Sequence, residues 1–274
     1  MGTMIGIFDS GVGGLSVLRE IRAQLSHGEL LYFGDNEHIP YGSRSLEEIR
    51  SFSEAITRFL LDHGARVIVV ACNTASAAAL KYLRAMFPEA PFVGMEPAVK
   101  PAAEQTQTGV VGVLATPATF QGELFNSVVE RFAREVTVLR EVCPGLVEQI
   151  EVGELDSPQT EALLRGWVEP MLAQNIDVLV LGCTHYPFVI PLLKKICGPG
   201  VRVIDPAPAV ARQTARVLEA FPQTAGEQVS KGAGGIVYYT SGELQAFQHA
   251  LEKLGAERGE VCAVEWEGLS IAPQ

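Results

Sequence analysis

Positive charge is scarce in this chain: 21 Lys and Arg stand against 32 Asp and Glu, a formal net charge of −11. No basic stripe interrupts that excess, which excludes the electrostatic footprint of a nucleic-acid or anionic-membrane binder. A small anionic substrate stays open, because net charge is screened beyond about 8 Å at physiological salt. Its site would have to supply local donors. Long apolar runs are also missing, and nothing approaches the ~20 residues that span a bilayer. The opening MGTMIGIFDS has no basic start and is broken by Asp9, so no signal peptide is expected. Gly6 stands where a myristoylation motif has Ser or Thr. These absences together predict a cytoplasmic protein.

Cysteine is sparse and unpaired. The five positions 72, 143, 183, 197 and 262 are scattered, odd in number and without a C-x-x-C pair. That excludes a disulfide framework and a zinc knuckle and fits a reducing compartment. No metal site is expected, since Cys183-x-His185 offers two ligands at most. The glycine-rich segment DSGVGG, 9–14, lacks both a Walker lysine and G-x-G-x-x-G spacing. Its glycines read better as a tight strand-to-helix turn than as a phosphate cradle.

What remains is a hydrophobic globular chain. Of its 274 residues 47% are hydrophobic and 19% charged, and the mean hydropathy is +0.19. Such a length suggests about two domains. Apolar strand patterns alternate with helical ones: strands at 5–8, 30–33, 67–71, 91–95, 110–115, 136–139, 178–181, 201–204 and 236–240, helices between them. Ser45 with Glu48 forms a capping box, and Ser157-Pro158 starts another helix. A single helix is expected over 118–133. Continuous β-branched strands between amphipathic helices predict an α/β fold with parallel sheets covered on both faces. An internal repeat reinforces this: VIVVACNTAS matches VLVLGCTHYP, and IGIFDSG more weakly matches VGVLATP.

Both repeats of the first pair place a cysteine, Cys72 or Cys183, at the carboxyl end of a core strand, where ligands bind in open parallel sheets. Either cysteine alone reads as a small buried hydrophobe. Twice over, followed by Asn73-Thr74 and by Thr184-His185, they read as chemistry, whereas Cys143, Cys197 and Cys262 lack that context. A helix N-terminus behind each thiol is expected to lower its pKa. Thr74 and Thr184 also suit N-capping, and His185 is placed to tune Cys183 or donate a proton. Asp9 and Ser10 share the rim with Cys72. The loop IPYGSRS, 39–45, carries Tyr41 and reads equally as an ordinary surface turn.

Two matched thiols facing one cleft suit inversion of a stereocentre, one removing a proton while the other returns it to the opposite face. No lysine stands at a strand end to anchor a pyridoxal, so a cofactor-free route is expected. The residues alone leave open a one-cysteine hydrolase or transferase and a non-catalytic amino-acid-binding module. FDSGVGGLSVL, PYGSRS, ACNTASA, GMEPAVKPA, GVLATPAT and GCTHYP together resemble the glutamate racemases of the cofactor-independent aspartate/glutamate racemase superfamily. The resemblance covers residues 5 to about 207, and His185, where aspartate racemases carry Glu, favours glutamate over aspartate or another small amino acid.

The resemblance implies two α/β domains, 1–95 with 208–274 and 96–207, and a cleft between them. It implies L- and D-glutamate as substrates, no cofactor, a homodimer, and supply of D-glutamate for peptidoglycan. On matching positions, Cys72 resembles the base for D-glutamate and Cys183 the base for L-glutamate. Asp9 and His185 resemble their respective partners, and Glu151 a further catalytic acid, although Gly145, Glu148 and Gln149 before it depart from the usual pattern. Asp9, Ser10, Tyr41, Gly42, Asn73, Thr74, Thr116, Thr184 and His185 match substrate contacts.

Overall fold

The computed structural model describes residues 4–25, 28–220 and 234–274. Its strands in chain order are β1 (Met4–Asp9), β2 (Glu29–Gly34), β3 (Val67–Val70), β4 (Phe92–Gly94), β5 (Val110–Ala115), β6 (Thr137–Val142), β7 (Val178–Gly182), β8 (Arg202–Ile204), β9 (Ile236–Thr240), β10 (Glu260–Glu267) and β11 (Ser270–Pro273). They form a seven-stranded sheet, β11-β10-β9-β2-β1-β3-β4, and a four-stranded sheet, β6-β5-β7-β8. Every pairing is parallel except β10 with β11.

The sequence repeat is visible in the topology. β1 lies between β2 and β3 with β4 outside, and β5 lies between β6 and β7 with β8 outside. The order is the same in both sheets, so β3 and β7, which lead into Cys72 and Cys183, occupy equivalent positions. The matching acid-Pro-Ala steps Glu96-Pro97-Ala98 and Asp205-Pro206-Ala207 follow β4 and β8, where the chain passes between the sheets.

Period-two alternation explains why the strands read as continuous apolar runs. In the larger sheet Ile5, Ile7, Leu30, Tyr32 and Val69 face a core shared with the helices Leu15–Gln24 and Ala207–Ala220. Phe8, Leu31, Phe33, Ile68 and Val70 face the other way, against the helices Leu46–Asp62 and Asn73–Met86. The smaller sheet repeats the scheme: Val111, Val113, Val178 and Val180 pack on Phe125 and Val128, and Leu114, Leu179 and Leu181 pack on Leu164, Val168 and Leu193. The Ser45–Glu48 capping box and the Ser157 cap form as expected.

Two expectations need correction. The helix expected over 118–133 is two helices, Pro117–Gln121 and Glu123–Phe132, bent at Gly122. A Cβ on Gly122 would come within 2.8 Å of the Ala77 Cβ, so the bend lets two helices of different sheets approach. The tail adds β10 and β11, which the sequence conceals because β10, EVCAVEWE, interleaves charged and apolar residues and β11 is only four residues long; their antiparallel pairing is the exception in a mainly parallel sheet. The tail strands β9–β11 complete the larger sheet. Residues 231–233 of the Gly-rich stretch KGAGG, and Phe221, lie outside the described residues.

Gly182, the last residue of β7 and the one that presents Cys183, has no room for a side chain. A Cβ there would stand 2.8 Å from the Ala115 Cβ and 2.9 Å from the Leu114 carbonyl oxygen, both rigid. Gly182→Ala is therefore expected to destabilise the fold by about 1–3 kcal/mol, the usual cost of overpacking. The change would be read as a lower urea midpoint with an unchanged slope.

Candidate active site

Each thiol emerges just beyond a buried strand, and the two line a single cavity at the facing carboxyl ends of the sheets. Cys72 caps the helix Asn73–Met86, and its sulfur accepts the Ala75 N–H at 3.4 Å. Cys183 leads instead into a 3-10 turn, Tyr186–Val189, and only then into the helix Ile190–Cys197. The α-helix expected directly behind Cys183 is displaced because Pro187 and Pro191 remove donors and restrain the residues before them.

Of the residues singled out above, Ser10, Tyr41, Gly42, Asn73, Thr74, Thr116, Thr184 and His185 line the cavity with the two thiols. Its volume is about 20 Å³, room for about one water molecule. Asp9 stands fully buried behind this wall. It accepts the Gly11 N–H at 3.1 Å and the Thr184 hydroxyl, from the opposite sheet, at 3.1 Å. Glu151 ends the helix Leu146–Glu151 and bridges the two halves. Its Oε1 accepts the Val12 N–H at 2.8 Å and lies 2.6 Å from His185 Nε2. The other ring nitrogen, His185 Nδ1, faces Cys183 Sγ at 3.7 Å. On the Cys72 side the thiol donates to the Ser10 hydroxyl, with Oγ 4.0 Å from the sulfur.

DSGVGG is the strand-to-helix turn read in the sequence, but glycine's conformational freedom is not what it needs there. Gly11, Gly13 and Gly14 are absent from the positive-φ glycines, so no left-handed turn requires them. Their need is spatial. A Cβ on Gly11 would collide with the Glu151 carboxylate, and one on Gly13 with the His185 ring. The glycines let Glu151 and His185, which come with the second sheet, pack directly on the first.

Tyr41, which the sequence left between a site residue and a surface turn, is buried in the 3-10 turn Tyr41–Ser43. Its hydroxyl is committed to Asp35 Oδ2 at 2.6 Å. Thr74 and Thr116 share hydroxyls at 2.9 Å across the cavity wall, and Thr116 caps the helix Pro117–Gln121. Asn73 is the outlier: it is buried, and neither side-chain amide atom has a partner among the described residues. An unpaired buried amide costs about 1–3 kcal/mol, which makes Asn73 the group best placed to receive a ligand.

The electrostatics overturn one expectation. Burial pushes the Cys72 thiol well above its ordinary range, and the nearby Asp9 adds to the rise, outweighing the Ala75 N–H at the helix start. Desolvation wins over the helix terminus here. Asp9 is raised for the same first reason, burial, with His185 opposing and Glu151 adding to the shift. Burial of His185 by itself favours the neutral ring, but the Cys183 and Glu151 partners together hold it well above the ordinary histidine value.

The chain matches the model of the Asp/Glu/hydantoin racemase family over residues 5–214. A glutamate racemase of Roseiflexus sp. is 50% identical over 250 residues, 91% of each chain. The crystal structure of Escherichia coli glutamate racemase in complex with L-glutamate and the activator UDP-MurNAc-Ala superposes with a TM-score of 0.84 at 33% identity, covering 96% of this chain and 99% of that one. The Thermus thermophilus glutamate racemase bound to β-chloro-D-alanine gives 0.80 at 36% identity, covering 97% and 98%. The chain belongs to the Asp/Glu/hydantoin racemase family. It is an isomerase, and among the described residues of this racemase no helix is long and apolar enough to cross a membrane.

Sequence reasoning missed the second layer of the racemase site. Asp35, fully buried, accepts hydrogen bonds from Tyr41, from Ser241 at 2.7 Å and from the Trp266 indole at 2.9 Å, with His38 Nδ1 at 3.0 Å. Asn36 reaches Glu151. The available signal was positional: GDN follows β2 on the rim that carries Asp9, and the Asp35 N–H donates to the Asp9 carbonyl at 3.0 Å.

Burial of Asp9 has a consequence for stability. Its carboxyl has a raised value in the fold, so its contribution is fully present below the unfolded value and is lost as pH rises through the folded one. Above the unfolded value, and so at neutral pH, the buried Asp9 carboxyl is a net cost. Asp9→Asn is expected to raise the melting temperature at pH 7 by a few degrees, with the advantage vanishing near pH 3. Equal melting at pH 7 would contradict this.

Proposed function

We propose that this racemase interconverts L- and D-glutamate by a cofactor-free exchange of the α-proton between two thiols. The observation that carries the reading is the pair of sulfurs lining one cavity from equivalent places in two matching sheets. In the L-to-D direction the Cys183 thiolate takes the α-proton, the C–H electron pair stays on the α-carbon, and the Cys72 thiol delivers its proton to the opposite face. The product leaves a thiol at Cys183 and a thiolate at Cys72, ready for D-glutamate. No net proton is consumed.

The electrostatic directions support this assignment. Burial keeps Cys72 protonated, as a donor must be, and a cationic His185 stands 3.7 Å from Cys183 as a counter-charge for its thiolate. The α-proton of an amino acid is much less acidic than a thiol, and each unit of mismatch costs about 1.4 kcal/mol. Preorganised donors in a dry cavity are the available compensation. In this reading the Asn73 amide, the Thr74 and Thr116 hydroxyls, and the Ser10 and Gly42 walls hold the two carboxylates and the amine. Asp9 steadies the Cys72 side and His185, backed by Glu151, the Cys183 side.

A cavity of about 20 Å³ does not hold a five-carbon diacid, so the two sheets separate to admit it. We take 1–95 with 208–274 and 96–207 as the moving bodies, a division supported by the crossings at Met95–Ala98 and Asp205–Pro206 between the sheets. The product fits D-glutamate supply for peptidoglycan in a bacterial cytoplasm.

The test is α-proton exchange. In heavy water both glutamate enantiomers should acquire deuterium at the α-carbon, with aspartate turned over far more slowly. Cys72→Ser and Cys183→Ser should each lower racemisation by at least the 10²–10⁴-fold that a proton-transfer catalyst supplies. Full activity in either serine variant would refute the assignment.

A further inference from the structure

Asn36 sits two residues beyond the end of β2 and makes no contact with the thiols, yet both ends of its amide are fixed. Nδ2 donates to Glu151 Oε2 at 3.2 Å, and Oδ1 accepts the Thr240 hydroxyl at 3.1 Å. Thr240, fully buried, is the last residue of β9. The place is built for this side chain. A Cβ on Gly242 would come within 2.6 Å of the Asn36 Cβ, and one on Gly34 within 2.9 Å of its Oδ1. The turn after Glu151 is held from the same tail, because Lys253 Nζ donates to the Val152 carbonyl at 3.1 Å.

We infer that Asn36 is a positioning residue for the Cys183 half of the reaction, acting through Glu151 and His185. The inference rests on the two-thiol reading above. Glu151 Oε1 already takes the Val12 N–H and faces His185 Nε2, so Oε2 is the oxygen that fixes the rotation of the carboxylate plane. The last torsion of a glutamate is broad and two-fold. Without a donor on Oε2 the plane turns, Oε1 swings from the imidazole, and the ring loses the partner that aims Nδ1 at Cys183. Nothing equivalent links Asn36 to Cys72. The tail strand β9, which contributes no residue to the cavity, thus sets the geometry of one of the two proton carriers.

Such one-sidedness has a kinetic signature. The enantiomers have equal free energy, so kcat/KM must fall equally in both directions, and only an isotope label separates the halves. Asn36→Leu removes the amide at similar volume, and Thr240→Val removes its anchor from outside the site. In the full chain each is expected to lower kcat/KM about tenfold, the order expected for one hydrogen bond to a charged group. The α-deuterium isotope effect on kcat/KM should rise with L-glutamate, whose bond Cys183 breaks. With D-glutamate it should fall toward one, since proton transfer at Cys183 then limits the rate after Cys72 has acted. A tie that merely held the sheets together would leave both isotope effects where they are or move them together, with a drop in melting temperature, and either result would overturn the inference. A parent enzyme that fails to wash α-deuterium into water would sink the two-thiol reading and this inference with it. Clear effects in the parent that persist unchanged in both variants would sink the inference alone.

Discussion

The rest of the structure depends on withdrawing two sulfur atoms from water at the meeting point of two parallel sheets. Water would stabilise their thiolates and equally stabilise every competing charge, leaving a weak base against a weaker carbon acid. Burial reverses the balance: it favours neutral Cys72 and amplifies each fixed donor around it. The cost appears as a fully buried Asp9, an Asn73 amide without a partner among the described residues, and a histidine whose pKa is held well above its ordinary value. A structure selected for stability alone would have none of them.

That withdrawal requires close packing where the sheets meet, which is why the glycines of DSGVGG face His185 and Glu151. The same contacts are the clasp. Thr184 on Asp9, Ser16 on the Thr184 carbonyl at 2.9 Å, and Val12 and Asn36 on Glu151 all cross from one sheet to the other. Each contributes on the order of 1 kcal/mol net, enough together to keep the cavity shut and few enough to break when substrate arrives. On the proposed mechanism, the groups that carry or steer protons also hold the cleft closed, so opening disarranges them. The proposed mechanism therefore carries a cycle of opening and closing within turnover, as in other enzymes whose sites exclude water.

The architecture was largely legible in the sequence. Unbroken Val, Ile and Leu runs such as 67–70 and 178–181 fixed buried parallel strands, and the twin strand–Cys motifs marked both the repeat and the thiols. What escaped depends on relations across the fold. The acidity of Cys72 was misjudged because a helix start is visible locally, whereas the depth of burial and the proximity of Asp9 are not. The glycines of DSGVGG were assigned to a turn, since their true neighbours, Glu151 and His185, lie more than a hundred residues away. Asp35 and Asn36 carried no motif, and the donors that give them meaning, Ser241, Trp266 and Thr240, come from the tail. In the hairpin β10–β11, β10 was hidden by its charged alternation and β11 by its shortness.

The central claim is geometric and can be tested directly by a structure with D- or L-glutamate bound in the cleft. The account predicts that the α-carbon sits between the two sulfurs, Cys72 Sγ toward one face and Cys183 Sγ toward the other, within proton-transfer distance of both. An α-carbon apposed to a single sulfur, or to both on the same face, would contradict it.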